Sequence, residues 1–186
     1  MTEAASKALF LDRDGVINVD HGYVHRAEQF EFRAGIFELV REARIRGYRV
    51  VVVTNQAGIG RGYYTEGDFQ HLSAWMMSEF EAQGAPLDRI YHCPDHPEFG
   101  IGRYRRESTH RKPAPGMLLQ ARDELGLSLE QSILVGDKES DIEAGLRAGL
   151  RCNVLVAESE GAATEARRHT RADFDESTLC AVCAYL

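Results

Sequence analysis

Two aspartates lie two residues apart directly after a short apolar segment. Asp12 and Asp14 follow the run ALFL and precede Gly15, which permits a tight turn. In an extended backbone, residues i and i+2 face the same side, so both carboxylates can point at one substrate. Aspartates that cap a turn are a structural alternative, since Asp is common where strands end. The pair alone therefore leaves a catalytic and a structural interpretation open.

Other groups suited to phosphate chemistry follow two further apolar runs. Thr54 follows VVVV with a hydroxyl, and Asp137 follows ILVG with a third carboxylate. Lys112 supplies a cation that can neutralise developing phosphoryl charge. Carboxylate oxygens are preferred ligands of Mg²⁺, and a carboxylate can act as a nucleophile through an aspartyl phosphate. This set predicts Mg²⁺-assisted phosphoryl transfer to an aspartate.

The hydrophobic pattern predicts strands that alternate with helices along the chain. This order is typical of a doubly wound, open parallel sheet, here a single domain of residues 1–186, and ligands of such sheets bind beyond the carboxyl ends of the strands. The tail is expected to hold one or two helices, with RRHTR (167–171) on a helix, and SLEQ (128–131) resembles a capping box. The expected strands are 7–12, 48–56, 87–93, 132–137 and 151–156, and the expected main helices are 35–47, 65–83, 115–126 and 141–149.

Charge and hydropathy narrow the class of protein. The net charge of −7 argues against a broad nucleic-acid-binding surface, which needs a basic excess. No apolar run approaches the roughly 18 residues that span a bilayer, and the N-terminus lacks the apolar region of a signal peptide. Four scattered cysteines indicate a reducing compartment. We expect a cytoplasmic monomer that binds a small molecule rather than a nucleic acid or a membrane.

Four motifs in fixed order carry a family resemblance. DRDG, VTNQ, RKP and GDKESD resemble the haloacid dehalogenase superfamily of phosphotransferases, which implies a Rossmann-like fold. The longer segments DRDGVINVDHGYVH, VVVTNQAGIGRG, YHCPDHP and RKPAPGMLLQARDELG are similar to the D-glycero-D-manno-heptose 1,7-bisphosphate 7-phosphatases of bacterial lipopolysaccharide-core biosynthesis. The similarity runs from about Ala8 to Val156. It implies hydrolysis of the 7-phosphate on the route to ADP-heptose, with the β anomer as the reference substrate.

The resemblance also implies a role for each matching residue. Asp12 would be the nucleophile, and Asp14 would protonate the leaving oxygen and then activate water. Asp12, the backbone carbonyl of Asp14 and Asp137 would hold Mg²⁺, while Thr54 and Lys112 would stabilise the transferring phosphoryl group. The residues implied to contact the substrate are Asp20, His21, Gly22, Tyr23, Asn55, Gln56, Ala57, Arg111 and Lys138.

The spacing of the motifs predicts an open site without a separate cap domain. The interval from Asp14 to Thr54 holds one flap and one helix, and that from Thr54 to Lys112 holds one helix, one strand and a loop. Neither is long enough for a further domain, so loops must shape the site. Arg111 adjoins Lys112 and is a candidate to meet a second phosphate.

The loop before the RKP motif differs from the family pattern. Many members hold a structural zinc there with C-x-H and C-x-C, but the matching positions here are Cys93-x-Asp95 and Ser108-x-His110. A compensated set would use Cys93, Asp95 or His96, and His110. Structural zinc prefers four firm nitrogen or sulfur ligands, so structural zinc is not expected. Without zinc, the loop would be held by packing and hydrogen bonds or would be more mobile.

Three other functions share part of this evidence. A histidinol-phosphate phosphatase is similar in the same motifs, and a nucleic-acid 3′-phosphatase shares the chemistry but is disfavoured by the acidic balance. A silent phosphosugar-binding protein would need no catalytic groups, yet all of them are present.

Overall fold

A computed structural model describes residues 5–158, 169–174 and 178–186 of the chain. Its strands form one parallel sheet in the order β3-β2-β1-β4-β5-β6, which confirms the predicted α/β architecture. The strands are β1 (Lys7–Leu11), β2 (Tyr48–Asn55), β3 (Arg89–Cys93), β4 (Ile133–Gly136), β5 (Cys152–Glu158) and β6 (His169–Phe174).

Helices follow the strands on both faces of the sheet. The helices are α1 (Ile36–Ile45), α2 (Ala57–Gly60), α3 (Glu66–Ala82), α4 (Gly116–Leu125), α5 (Glu139–Ala148) and α6 (Thr178–Ala181). Short 3₁₀ turns lie at Ala27–Gln29, Gly102–Tyr104, Leu129–Gln131 and Val182–Tyr185. None of the helices in the described ranges is both long and apolar enough to cross a membrane.

The two faces of the sheet bury two apolar layers because successive strand residues point to opposite sides. In β1, Leu9 and Leu11 join the layer packed by α1 and α3. Ala8 and Phe10 join the opposite layer, packed by α4 and α5. All four of these β1 residues are fully buried. This two-sided burial explains why the central strands read as continuous apolar runs in the sequence.

The order of the strands fixes the position of a crevice. From β1 the chain proceeds to β2 on one side, whereas β4, the other neighbour of β1, leads to β5 on the opposite side. A doubly wound sheet binds its ligand where the strand order reverses in this way. Asp12 and Asp137 directly follow these two neighbouring strands, so both lie at the crevice.

Local signals at helix ends agree with several predicted boundaries. The Thr65 side chain accepts a hydrogen bond from the backbone N–H of Asp68, and Asp68 accepts one from the Thr65 N–H, which completes a capping box at the start of α3. Helix α4 ends at Leu125 and is followed by Gly126, whose φ of 63° lies in the left-handed region that glycine adopts readily.

Two local predictions are wrong. His169, Thr170 and Arg171 of the RRHTR segment, expected on a helix, lie in the edge strand β6, which pairs with β5 because pairing satisfies backbone groups that the edge of β5 leaves open. Residues 167 and 168 lie outside the described ranges. Ser128 precedes a 3₁₀ turn but its side chain makes no capping bond. Its carbonyl instead accepts a hydrogen bond from the Ser132 hydroxyl, at 2.6 Å.

No cap domain interrupts the described chain between the motifs. The segment after β1 is a flap tied by an isolated bridge between Asn18 and Phe32, and α1 follows. The segment between β2 and Lys112 holds α2, α3, β3 and one 3₁₀ turn. The crevice is therefore open, as the spacing of the motifs predicts.

Candidate active site

A cleft of about 650 Å³ lies beyond the carboxyl ends of β1 and β2. Most of the residues predicted to act on the substrate line this cleft. Its lining residues are Asp12, Asp14, Asp20, Gly22, Tyr23, Thr54, Asn55, Gln56, Ala57, Gly58, Tyr64, Arg111, Lys112, Pro113, Lys138, Ser140 and Asp141.

A buried ammonium group connects two carboxylates at the floor of the cleft. Lys112 Nζ lies 2.9 Å from Asp12 Oδ1 and 2.6 Å from Asp141 Oδ1. It also donates a hydrogen bond to the Val53 carbonyl at 2.8 Å, so its three protons all have acceptors. The three charged side chains are almost fully buried. The ammonium is therefore held rigidly beside the Asp12 carboxylate.

Burial and charge change the proton affinities of these groups. Burial raises the pKa of Asp12 to about 8; the Lys112 ammonium opposes this rise, and the neighbouring carboxylates of Asp141 and Asp137 add to it. Burial lowers the pKa of Lys112, but its two carboxylate partners outweigh burial and leave the pKa raised. Lys112 is thus a permanent cation, while Asp12 needs further positive charge to ionise readily at neutral pH.

Three carboxylates form an acidic cluster that fits a divalent cation. Ligand atoms of Asp12, Asp137 and Asp141 lie within 4.8 Å of one another. Asp137 Oδ1 is buried and has no hydrogen-bond partner, an oxygen that a hard cation would satisfy. Gly15 leaves room for the Asp137 carboxylate, since a Cβ at residue 15 would lie 2.2 Å from Asp137 Oδ2. The donor set is therefore suited to Mg²⁺.

The Asp14 carboxylate is held by three donors. Arg13 Nη2 lies 2.9 and 2.8 Å from its two oxygens and also donates to the Val24 carbonyl at 2.7 Å. Asn18 Nδ2 donates to Oδ1 at 3.1 Å, and Gln56 Nε2 donates to Oδ2 at 2.9 Å. These bonds fix the direction in which the Asp14 carboxylate faces the cleft.

The polar residues that follow β2 bond mainly to other parts of the site. The Asn55 side chain accepts from the backbone N–H of Lys112 and donates to its carbonyl, each at 3.0 Å. Gln56 donates to Thr54 Oγ1 at 2.8 Å as well as to Asp14. Asn55 therefore positions Lys112, and the buried Gln56 amide is engaged within the protein.

The flap supplies the rim of the cleft. Lys138 Nζ lies 3.4 Å from Asp20 Oδ2, which bridges the flap to the segment after β4. Tyr23, with a φ of 53°, is half exposed at the rim. His21 is placed elsewhere: its Nε2 pairs with Glu31 Oε2 at 3.0 Å, and the residue does not line the cleft.

The residues that match the family's zinc positions do not gather around a common point. Within the described ranges, three ligating groups come together only in the acidic cluster. The Cys93 thiol donates to Ser108 Oγ at 3.6 Å, and His96 Nδ1 accepts from two backbone N–H groups of its own turn. His110 Nδ1 lies 3.4 Å from the neighbouring Thr109 hydroxyl. An ion pair between Arg106 Nε and Asp95 Oδ2, at 3.0 Å, ties the loop instead.

Arg111 reaches the cleft from this loop. Its Nη1 donates to the backbone carbonyl of Asp95 at 3.1 Å, and it forms no carboxylate ion pair in the described part of the chain. A guanidinium with unused donors at the rim is available to an anionic group of a ligand.

Sequence reasoning missed four residues that build this site. Asp141 had a visible signal, since GDKESD places it in the first turn of α5, where its Oδ2 accepts from the Lys138 N–H at 3.0 Å. Arg13, Asn18 and Tyr64 had no such signal, because residue type and spacing alone do not show that these side chains bond to Asp14 and Gln56. Gly136 permits the close approach of Asp141, as a Cβ there would lie 2.2 Å from the Asp141 Cβ.

Comparison with known proteins identifies the family. The HAD-hydrolase-like family model matches residues 109–178. A D-glycero-α-D-manno-heptose-1,7-bisphosphate 7-phosphatase of Burkholderia mallei is 57% identical over 83% of this chain and 82% of its own length. The chain belongs to the heptose-bisphosphate phosphatase family. Like the other members it is a phosphoric monoester hydrolase, which excludes the interpretation as a silent binding protein.

Other members of the family share the same core. The β-anomer phosphatases of Vibrio cholerae and Escherichia coli are 49% and 48% identical over 82% and 80% of this chain, and they are covered over 82% and 78% of their own lengths. The D,D-heptose 1,7-bisphosphate phosphatase of B. bronchiseptica, solved with magnesium and phosphate, superposes with a TM-score of 0.71 at 28% identity, covering 81% of this chain and 80% of that one. The cation of that relative is consistent with the donor set described above.

Proposed function

We propose that this phosphatase removes the 7-phosphate of D-glycero-D-manno-heptose 1,7-bisphosphate, with Mg²⁺ as its cofactor and Asp12 as its nucleophile. The observation that carries the proposal is the Asp12 carboxylate. It lies 2.9 Å from a permanent buried ammonium and beside two further carboxylates, at the floor of an open cleft. This arrangement supplies a nucleophile, charge for the phosphoryl group and a cation site within one small volume.

The first half-reaction forms an aspartyl phosphate. An oxygen of Asp12 attacks phosphorus, and the bond between phosphorus and the sugar oxygen breaks while Asp14 donates a proton to that oxygen. Lys112 and the Thr54 hydroxyl neutralise the charge that develops on the phosphoryl oxygens. The three donors that hold Asp14 keep its carboxyl aimed at the leaving group.

The second half-reaction releases phosphate. Asp14, now ionised, accepts a proton from water, and the water oxygen attacks phosphorus and displaces Asp12 as a free carboxylate. Asp12, Asp137 and the backbone carbonyl of Asp14 would hold Mg²⁺, with Asp141 in the same cluster. The bound cation supplies positive charge that reduces repulsion between Asp12 and the anionic phosphate.

The rim of the cleft suits a sugar with a second phosphate. Arg111 and Lys138 supply cations to the cleft, and Asp20, Gly22 and Tyr23 also line it. The absence of a cap domain between the motifs of the described chain leaves room for such a substrate. On the basis of the sequence, we also propose that the protein is a cytoplasmic, single-domain monomer. It would act on the route to ADP-heptose and the lipopolysaccharide core.

A panel of phosphosugars tests the proposed substrate. The family relatives at 57% and 48–49% identity are named for opposite anomers at C1, so the panel carries both heptose bisphosphate anomers and histidinol phosphate. We expect the highest kcat/KM for one of the heptose bisphosphates. A higher value for histidinol phosphate would overturn the substrate assignment without touching the phosphatase chemistry.

The variant Asp12→Asn tests the nucleophile. It removes the attacking oxygen and one metal ligand at nearly constant shape, so turnover of any phosphate ester should disappear while the far-ultraviolet circular dichroism stays unchanged. Retained turnover of an aryl phosphate would rule out the aspartyl phosphate on this residue.

A further inference from the structure

The side-chain amide of Gln56 connects the two sides of the catalytic apparatus. It is 1% exposed, and its Nε2 donates to both Asp14 Oδ2, at 2.9 Å, and Thr54 Oγ1, at 2.8 Å. Its Oε1 accepts a hydrogen bond from the hydroxyl of Tyr64. An amide nitrogen has two hydrogens, so these two bonds use both of them. Gln56 thus touches the acid–base residue and the phosphate-binding hydroxyl at once.

Tyr64 determines which way the Gln56 amide points. With the amide reversed, Oε1 would face the acceptor oxygens of Asp14, and the amide nitrogen would face Tyr64. The Tyr64 hydroxyl favours the observed orientation because it donates to Oε1, and burial raises the pKa of Tyr64, so the hydroxyl keeps its proton. The orientation of the Gln56 amide is therefore set by Tyr64 and not by Asp14 or Thr54 alone.

Packing holds Tyr64 in this position. The His25 ring stacks on the Tyr64 ring with centroids 5.1 Å apart and an angle of 2° between the planes. On another side, Gly58 leaves the space that the ring occupies, since a Cβ at residue 58 would lie 2.1 Å from Tyr64 Cε1. A tyrosine fixed by the flap and by α2 can hold an amide more firmly than a free hydroxyl could.

The hydrogen-bond directions determine what the Thr54 hydroxyl can do. Because Thr54 Oγ1 accepts from Gln56, its own hydrogen remains available to donate to a phosphate oxygen in the cleft. The same amide, with Arg13 and Asn18, fixes the Asp14 carboxylate. Loss of the amide would free both groups to rotate, although neither would be removed.

We propose that Gln56, oriented by Tyr64, is a positioning residue that aims Asp14 at the leaving-group oxygen and the Thr54 hydroxyl at the phosphoryl group. The assignment rests on the phosphatase reaction proposed above for this cleft. It gives the Gln56 side chain a role within the protein, in place of the direct substrate contact that the family resemblance implies.

A comparison of leaving groups tests the role toward Asp14. Gln56→Met keeps the length of the side chain and removes the amide, and Tyr64→Phe removes only the hydroxyl. We expect Gln56→Met to lower kcat/KM for phenyl phosphate by about 100-fold, within the range for one positioned acid. The loss for 4-nitrophenyl phosphate should be much smaller, since that leaving group departs with little protonation. Tyr64→Phe should give a smaller loss with the same dependence on the leaving group.

Tyr63→Phe is the matched control. Tyr63 is exposed, and its hydroxyl makes no hydrogen bond to any residue in the described ranges, so both aryl phosphates should be hydrolysed as by the unchanged enzyme. Equal losses for the two aryl phosphates in Gln56→Met would indicate a merely structural role and overturn the proposal. No loss in either Gln56→Met or Tyr64→Phe would overturn it as well.

Binding of inorganic phosphate tests the role toward Thr54 without turnover. In calorimetric titrations with Mg²⁺ present, Gln56→Met should bind phosphate several-fold more weakly and Tyr63→Phe should bind it as the unchanged protein does. If the unchanged protein hydrolyses aryl phosphates but not heptose bisphosphate, only the proposed substrate fails. If it hydrolyses neither, the proposed function fails, and the phosphate titration alone then tests the role of Gln56. Equal phosphate affinities in Gln56→Met and the unchanged protein would overturn that role. If Gln56→Met does not fold, the leaving-group comparison and the phosphate titration are made on Tyr64→Phe.

Discussion

Lys112 is the residue on which the floor of the cleft depends most directly. Its ammonium lies between the carboxyl groups of Asp12 and Asp141, both of which are almost fully buried. Removing one partner of a buried ion pair leaves an uncompensated charge, which costs about 3–5 kcal/mol. We therefore expect Lys112→Met to lower the free energy of unfolding by about 3 kcal/mol and to abolish turnover, as measured by denaturant unfolding and an aryl phosphate assay.

Lys138→Met is a suitable control for the stability of that variant. Lys138 lies on the same cleft, but its side chain is half exposed and its ion pairs to Asp20 and Asp137 are 3.4 and 3.7 Å long. Such an exposed pair contributes at most about 1 kcal/mol. Equal losses of stability in the two variants would show that Lys112 is not the main compensating charge at the floor.

The loop between β3 and α4 contains the positions that the family resemblance implies as zinc ligands, and an ion pair holds it. Asp95 is almost fully buried, its carboxylate pairs with Arg106, and its backbone carbonyl accepts from Arg111. The pair fixes the part of the loop from which Arg111 reaches the cleft. The position of the Arg111 guanidinium, which we propose contacts the substrate, therefore depends on a salt bridge remote from the chemistry.

Arg106→Ala should loosen this loop. The Asp95 carboxylate would lose its charged partner, and we expect the unfolding free energy to fall by about 1–2 kcal/mol, less than for a fully buried pair because Arg106 is exposed. KM for the bisphosphate should rise several-fold while KM for an aryl phosphate stays constant.

Arg105→Ala serves as the comparison, since Arg105 is exposed and its side chain makes no hydrogen bond to another described residue. If Arg106→Ala and Arg105→Ala have the same stability and the same KM for the bisphosphate, the ion pair between Arg106 and Asp95 does not hold the loop.

The elements were predictable from sequence wherever local pattern and tertiary context agree. The run of valines in β2 and the cap at Thr65 identify their elements because burial and capping act within a few residues. Asp12 and Asp137 could be placed in one crevice because parallel strands end at a common edge. The edge strand β6 could not be predicted, since its formation depends on β5 lying beside it. The Gln56 bonds were hidden for the same reason: Tyr64 and Asp14 meet the amide only after folding.

At the scale of the whole molecule, we expect stability and metal binding to be linked through the protonation of Asp12. The pKa of Asp12 is raised to about 8 in the fold, chiefly by burial, against an ordinary value of 3.8. Between these values the metal-free folded protein binds a proton that the unfolded chain has lost, so the contribution of Asp12 to stability decreases as pH rises through this window. Burial also raises the pKa of Asp137, which acts in the same direction. The melting temperature of the metal-free protein should fall from pH 5 to pH 8.

Mg²⁺ binding should remove this dependence, because the cation binds the carboxylate form of Asp12 and displaces its proton. Below pH 8, the apparent Kd for Mg²⁺ should fall by about tenfold for each unit that the pH rises, for each proton displaced. Calorimetric titrations between pH 6 and 7.5, in buffers with different ionisation enthalpies, count the released protons directly. The same titration on Asp12→Asn should show weaker binding and release of fewer protons, since the asparagine has none to lose. An affinity that does not change with pH in the unmodified protein would mean that Asp12 is already ionised without the metal, and that Lys112 alone outweighs the effect of burial.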